Sequence, residues 1–187
     1  MLALAFVVLG FLLGMLPFSV WLGKVVGKDV RAVGDGNPGA VNAWRAGGAK
    51  LGLPALLLDF LKGAVPVGLA VYAGVEGWPL VPVTVAPPLA HAFSPILKFR
   101  GGKALAATFG VWAGATAWIV PVVLGGLFVL GKLARIPDAW VVALGGAGAL
   151  AFVALFFRDP PLATAFALTY VLLLVKQGRE LWAGKKP

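Results

Sequence analysis

MLALAFVVLGFLLGMLPFSVWLG, residues 1–23, contains no charged side chain. A helix rises 1.5 Å per residue, so about 20 apolar residues cross the ~30 Å hydrocarbon core of a bilayer, and this stretch is long enough to do so. It could be mistaken for a secretory leader. It lacks a basic opening, however, and its apolar run outlasts a usual leader core before any small-residue cleavage site, so it is read as a retained span.

The rest of the chain follows the same pattern. Of 187 residues, 60% are hydrophobic and 12% charged, and the mean hydropathy is +0.95. A soluble globular domain carries about 25% charged residues, so the expectation is an all-α, polytopic integral membrane helix bundle forming a single domain over 1–187. Seven apolar segments can be drawn, at 2–22, 53–74, 78–97, 104–118, 119–131, 139–157 and 161–176. The fourth and fifth are short, with Pro121 near their junction, so one long kinked helix is the alternative there.

Charge placement tests this drawing, because Lys and Arg gather in short cytoplasmic loops. With the N-terminus outside and the C-terminus cytoplasmic, the inner loops collect all of the 16 basic residues except Lys62, within a span, and Arg158, outside beside Asp159. Lys185 and Lys186 are among those counted inside. Topology therefore accounts for much of the net charge of +9. No nucleic-acid motif accompanies it, so no nucleic-acid partner is expected. Cysteine is absent, which removes thiolate nucleophiles and thiolate metal sites together. GGAGALA at 145–151 reads as a helix-packing face, where small residues let backbones approach.

Three polar stations remain, all mapping to the cytoplasmic side. The first is GDGNPGAVNAWRAGG, residues 34–48. Its glycines permit a concavity of backbone N–H groups that attracts phosphate, and the planar fork of Arg45 suits the same ligand; a turn-rich connector is the competing reading. The second is LLLDFLKGAVPV, residues 56–67, in which Asp59 and Lys62 share one helix face. Charges within a span point to function, although an ion pair near the inner interface also accounts for them.

The third is HAFSPILKFRGGKALAATFG, residues 91–110, opening on the only histidine. With neither Cys nor a second His, no metal or cofactor is expected, and His91 reads either as a satisfied structural residue or as a base. The KFRGGK turn sets three cations around Gly101 and Gly102 at the head of the fourth span, an arrangement suited to an anion.

In this order and spacing the three stations resemble the bacterial acyl-phosphate:glycerol-3-phosphate acyltransferase family, the PlsY type. The matching residues are Gly36, Asn37, Gly39, Ala40, Asn42, Arg45, Asp59, Lys62, Gly63, His91, Phe93, Gly101, Gly102 and Lys103. The resemblance implies transfer of a fatty acyl group from acyl phosphate to the 1-hydroxyl of glycerol 3-phosphate, giving lysophosphatidic acid and phosphate at the inner membrane. It implies catalytic roles for Lys103, His91 and Arg45. It also implies phosphate binding by Asp35, Gly36, Asn37, Gly39, Asn42, Arg45, Lys62, Gly101, Gly102 and Lys103, with membrane lipids as surroundings.

The chain departs from the family pattern at Asp35 and Val41, where that pattern has Ser and Thr, and at Ala90, Ser94 and Ala104, where it has Gly, Pro and Gly. Its C-terminal VKQGRELWAGKKP offers Gln177 and Arg179 where the family has a His-Arg pair and an Asn. A divergent enzyme with another phosphate-bearing acceptor, and a non-catalytic membrane protein, are therefore the alternatives. Charges gathered at one surface argue against a transporter, which needs polar residues deep in its spans.

Overall fold

The structure, a computed structural model, describes residues 1–182; Lys185 and Lys186 of the expected inner C-terminus lie outside the described residues. Helices and two short 3-10 turns carry it, and no strand occurs among the described residues.

The first apolar stretch forms α1 (Leu2–Gly14) and α2 (Phe18–Val25), broken at Pro17, whose ring supplies no backbone N–H. Two carbonyls at the break are taken up from elsewhere: Ser94 Oγ donates to Met15 O at 2.6 Å and Lys62 Nζ to Leu16 O at 3.1 Å. In hydrocarbon an unsatisfied carbonyl costs several kcal/mol, so these two side chains allow the break to persist inside the bundle.

Next come α3 (Ala40–Gly47) and α4 (Ala49–Tyr72), joined at Gly48 with φ +64. The long α4 packs along α6 (Leu105–Thr116) backbone to backbone. A Cβ on Gly63 would meet Val111 N at 2.9 Å, one on Gly110 would meet Ala64 N at 2.9 Å, and one on Gly114 would meet Gly68 N at 2.7 Å. Between helices in lipid, such close approach supplies the packing that the hydrophobic effect supplies in water.

The remaining helices are α5 (Leu80–Ala92), α7 (Ile119–Leu133), α8 (Asp138–Phe156) and α9 (Pro160–Trp182). α5 lies between α1 and α9, and α8 between α7 and α9. Val67, Val83, Trp112, Val120, Leu124, Val153 and Phe166 fill the centre. There the Trp112 indole donates to Thr169 Oγ1 at 3.2 Å, and its ring lies 4.9 Å from that of Phe166. Leu57, Leu69, Val122, Leu144, Leu155 and Val171 face outward, as a lipid-facing surface requires.

Five stretches are long and apolar enough to cross a membrane: Leu2–Val25, Ala49–Tyr72, Leu80–Leu97, Asp138–Phe156 and Pro160–Trp182. Leu105–Thr116 and Ile119–Leu133 are shorter. The chain is a multi-pass, all-helical membrane protein. α6 and α7 are separate helices rather than one kinked at Pro121, because Ala117 (φ 45) and Trp118 (φ 73) reverse the backbone first. Pro121 then falls in the first turn of α7, where its missing N–H has no helical partner to lose.

The segments before α3, before α6 and between α7 and α8 meet the C-terminal end of α9 around one cavity, while the loops before α5 and α9 meet at the opposite end of α9.

Candidate active site

The cavity measures about 510 Å³. On one side stands the glycine-rich loop, tied to α2 by Ser19 Oγ donating to Pro38 O at 2.9 Å. Gly34 (φ +58) and Gly36 (φ +73) adopt left-handed conformations, and a side chain at Gly34 would strike Arg45 and Asn42. Between these glycines Asp35 turns its carboxylate inward. Asp35 Oδ1 accepts from the Asn37 N–H at 3.2 Å and from Asn42 Nδ2 at 2.8 Å. Asn42 Nδ2 also donates to Asn37 O at 3.0 Å, and its Oδ1 accepts from Arg45 Nη1 at 3.1 Å.

The second half of this stretch is the helix α3, not a loop. Its Ala43 packs with Val20, Leu51 and Ala55 in a small buried cluster, so this short piece is helical through its contacts rather than by length.

Opposite stands the KFRGGK turn. The Gly102 N–H donates to His91 O at 3.2 Å, and Lys176 Nζ from α9 donates to Ala92 O at 2.9 Å and Gly101 O at 3.0 Å. Lys176 also lies 5.1 Å from the centre of the Phe93 ring. A side chain at Gly101 would overlap the His91 carbonyl, and one at Gly102 the His91 ring nitrogen Nε2. Both glycines are therefore required by close approach, and the turn is fixed before the chain reaches Lys103.

Lys103 projects from this turn across the cavity mouth. Its Nζ lies 2.8 Å from Asp35 Oδ2 and is ion-paired with Glu180 on α9. Partial burial acts to raise the Asp35 pKa, but Lys103 and the two amide donors outweigh it and hold the carboxyl down at about 2. Burial likewise acts to lower the Lys103 pKa, and its two carboxylate partners hold it above the ordinary lysine value.

Deeper lie Asp59 and His91, both on the cavity wall. Asp59 Oδ1 is 2.8 Å from Lys62 Nζ and 3.7 Å from His91 Nδ1, with all three side chains buried. Lys62 is not on the wall: it is held by Asp59 and by the Leu16 carbonyl.

Of the residues singled out in sequence, Asp35, Asn37, Gly39, Arg45, His91 and Lys103 line the cavity, whereas Gly36, Asn42, Lys62, Gly101 and Gly102 do not. Glu180 and the Lys132–Asp138 pair also line it and were not singled out as site residues. Glu180 meets Lys103 only through the folding of α9, and no local pattern announces that. Gln177 is buried and on the wall, while Lys176 braces the turn. Leu56, Leu105, Phe128, Val141 and Val142 make an apolar side to the same cavity. Among the described residues no group of three or more His, Asp or Glu is placed to hold a metal ion.

Residues 4–181 match the family model for glycerol-3-phosphate acyltransferase. The chain is 37% identical to glycerol-3-phosphate acyltransferase 1 of Thermotoga maritima over 91% of this chain and 92% of that protein. It is 38% identical to the glycerol-3-phosphate acyltransferase of Anaeromyxobacter dehalogenans over 95% of this chain and 92% of that protein. Its structure is similar to that of PlsY, an integral membrane glycerol 3-phosphate acyltransferase, in the glycerol 3-phosphate form. The TM-score is 0.88 at 28% identity, over 96% of this chain and 90% of PlsY. The lysophosphatidic acid form gives a TM-score of 0.87 at 27% identity, over 97% and 92%.

Proposed function

This chain belongs to the glycerol-3-phosphate acyltransferase family, and from that premise we propose that it transfers a fatty acyl group from acyl phosphate to the 1-hydroxyl of glycerol 3-phosphate. The products are lysophosphatidic acid and inorganic phosphate. The observation that carries this reading is a single cavity with a polar mouth bearing Arg45 and Lys103 and an apolar side formed by Leu56, Phe128 and Val142. It suits a reactant with an anionic head and a hydrocarbon tail.

Acyl phosphate is a mixed anhydride, so the acceptor hydroxyl oxygen attacks the carbonyl carbon, the bond from that carbon to the phosphate oxygen breaks, and phosphate leaves carrying the hydroxyl proton. No covalent enzyme intermediate is needed, and the protein's contribution is positioning and charge. Arg45 and Lys103 hold phosphate oxygens, with the turn at Asn37 and Gly39 beside them. His91, buried against Gly102 and 3.7 Å from Asp59, positions the Gly101–Gly102 turn. Lys62 contributes from behind, by holding Asp59 and the break at Pro17.

The reading also includes topology: about seven crossings with the N-terminus outside, and an active site on the cytoplasmic side of a bacterial inner membrane. The gathering of Lys24, Lys28, Arg31, Arg45, Lys50, Lys98, Arg100 and Lys132 in segments at the cavity end supports this. Two of those crossings then use α6 and α7, which are shorter than a bilayer core.

The test is direct. Purified protein in lipid is given palmitoyl phosphate and labelled glycerol 3-phosphate, with palmitoyl-CoA in a parallel arm. Labelled lysophosphatidic acid and stoichiometric phosphate from the first arm alone support the reading; transfer from the thioester alone, or from neither donor, overturns it.

A further inference from the structure

The cavity wall carries Arg45, Lys103 and Lys132 against Asp35, Asp59, Asp138 and Glu180. Counting Lys62, which pairs with Asp59 from behind the wall, a chain with a net charge of +9 presents as many carboxylates as cations in the place where phosphate is to bind. Lys132 is already paired with Asp138. Among the described residues, Arg45 donates to the neutral Asn42 amide and is paired with no carboxylate. Lys103 has a carboxylate on each side.

We propose that Asp35 and Glu180 are counter-charges that compete with the acceptor's phosphate for Lys103, so that Glu180 in particular sets the affinity of the acceptor site. This rests on the reading of Lys103 as a phosphate-binding cation. A phosphate seated on Lys103 Nζ stands within a few ångströms of both carboxylates, and repulsion at that range is strong where water is partly excluded.

The two carboxylates differ in what holds them. Asp35 is pinned by the Asn37 N–H and the Asn42 amide, and it stays. Glu180 has Lys103 as its one hydrogen-bond partner among the described residues, sits in the last turn of α9, and leaves 40% of its side chain exposed. It can rotate outward, and phosphate takes its place on the ammonium. Acceptor binding is therefore an exchange of one anion for another on Lys103. Glu180 thus lowers the affinity of the site for any phosphate monoester without touching the reacting carbonyl.

The experiment measures inorganic phosphate binding by calorimetry on the full chain in lipid nanodiscs, together with KM and kcat for glycerol 3-phosphate, for wild type, Glu180→Gln, Glu180→Ala and Glu76→Gln. Glu76 lies on the exposed loop at the far end, so its substitution changes net charge equally. Both Glu180 variants are expected to bind phosphate and glycerol 3-phosphate about tenfold more tightly, with kcat changed less than about twofold. Unchanged or weaker binding in them overturns the inference, as does an equal gain in Glu76→Gln, which would reduce the effect to bulk charge. Tighter phosphate binding in a protein that transfers no acyl group to glycerol 3-phosphate upholds the counter-charge and overturns the reaction assigned above instead.

Discussion

Lys103 Nζ lies 2.8 Å from Asp35 Oδ2, which joins the glycine-rich loop to the turn that opens α6. The contact fixes a pH window. The carboxyl is held at about 2, below its unfolded value of 3.8, so its contribution to stability is fully present above the unfolded value and is lost as pH falls toward the folded one. Lys103 is shifted the other way, so its contribution persists up to the ordinary lysine value and fades only above it. Asp35→Asn should therefore show a small, constant loss of thermal midpoint between about pH 5 and about pH 8, narrowing below about pH 4. Midpoints of both proteins measured across that range in one detergent check it. A gap that widens on acidification would mean that the two groups are not paired.

Lys103→Ala should lower kcat/KM for transfer by at least about a hundredfold, the usual cost of removing one preorganised donor from an active site. Insertion should be unchanged, and the thermal midpoint should fall only slightly, as for Asp35→Asn, since the same partly exposed pairing is lost. Lys98→Ala, on the exposed side of the same turn and off the cavity wall, should retain activity. Equal activity of Lys103→Ala and wild type would remove the anion-site assignment.

The legibility of the fold followed from one property, apolar length. Each of the seven drawn segments contains a helix, and five of the stretches are long and apolar enough to cross a membrane, because such a run has few other options in lipid. The drawing differed where local chemistry set the outcome, at Pro17, which splits the first stretch; the boundary drawn between 118 and 119 falls where Ala117 and Trp118 turn left-handed. The site was legible where short-range spacing defines it, in Asp35 to Arg45 and in His91 to Lys103. Glu180 and Asp138 reach the same cavity through tertiary packing alone, and an acid near a helix end has the ordinary reading of a solvated charge.

Ala104 has φ +61 and is 2% exposed at the start of α6. For Ala104→Gly, relief of left-handed strain, about 1–2 kcal/mol, is offset by a lost buried methyl, about 0.8 kcal/mol, and by the backbone entropy of glycine, about 0.5–1 kcal/mol. The variant should lie within about 1 kcal/mol of wild type. Ala104→Val brings a β-branch into a left-handed conformation it resists and should cost about 2 kcal/mol or more. Thermal unfolding in one detergent separates the two; equal midpoints would contradict the left-handed backbone.

Gly110→Ala should disrupt the α4·α6 contact, because its Cβ would overlap the Phe60 carbonyl and stand 2.9 Å from Ala64 N. Backbone atoms cannot rotate aside as a side chain can, so the helices must separate, and a loss above about 3 kcal/mol or failure to accumulate in the membrane is expected. Gly126→Ala, in α7 with nothing within 4 Å of the added carbon, should be neutral or stabilising by up to about 1 kcal/mol. Similar yields and midpoints for the two variants would mean that the helices are not in backbone contact.

Lys176 reaches from α9 to the carbonyls of Ala92 and Gly101, at 2.9 and 3.0 Å, and has no place on the cavity wall. Its effect on transfer runs through the Gly101–Gly102 turn, and hence through the aim of Lys103. Lys176→Met keeps the stem but leaves two part-buried carbonyls without their donor, a cost of about 1–3 kcal/mol each. Stability should fall and kcat should drop about tenfold or more, because small displacements of a positioned charge weigh heavily on rate. Lys176→Arg can reach the same carbonyls with a differently shaped head and should recover part of both. The separating measurement is rate at a temperature well below the lowered midpoint: full kcat for Lys176→Met in that folded state would show that the clamp serves stability alone and does not position Lys103.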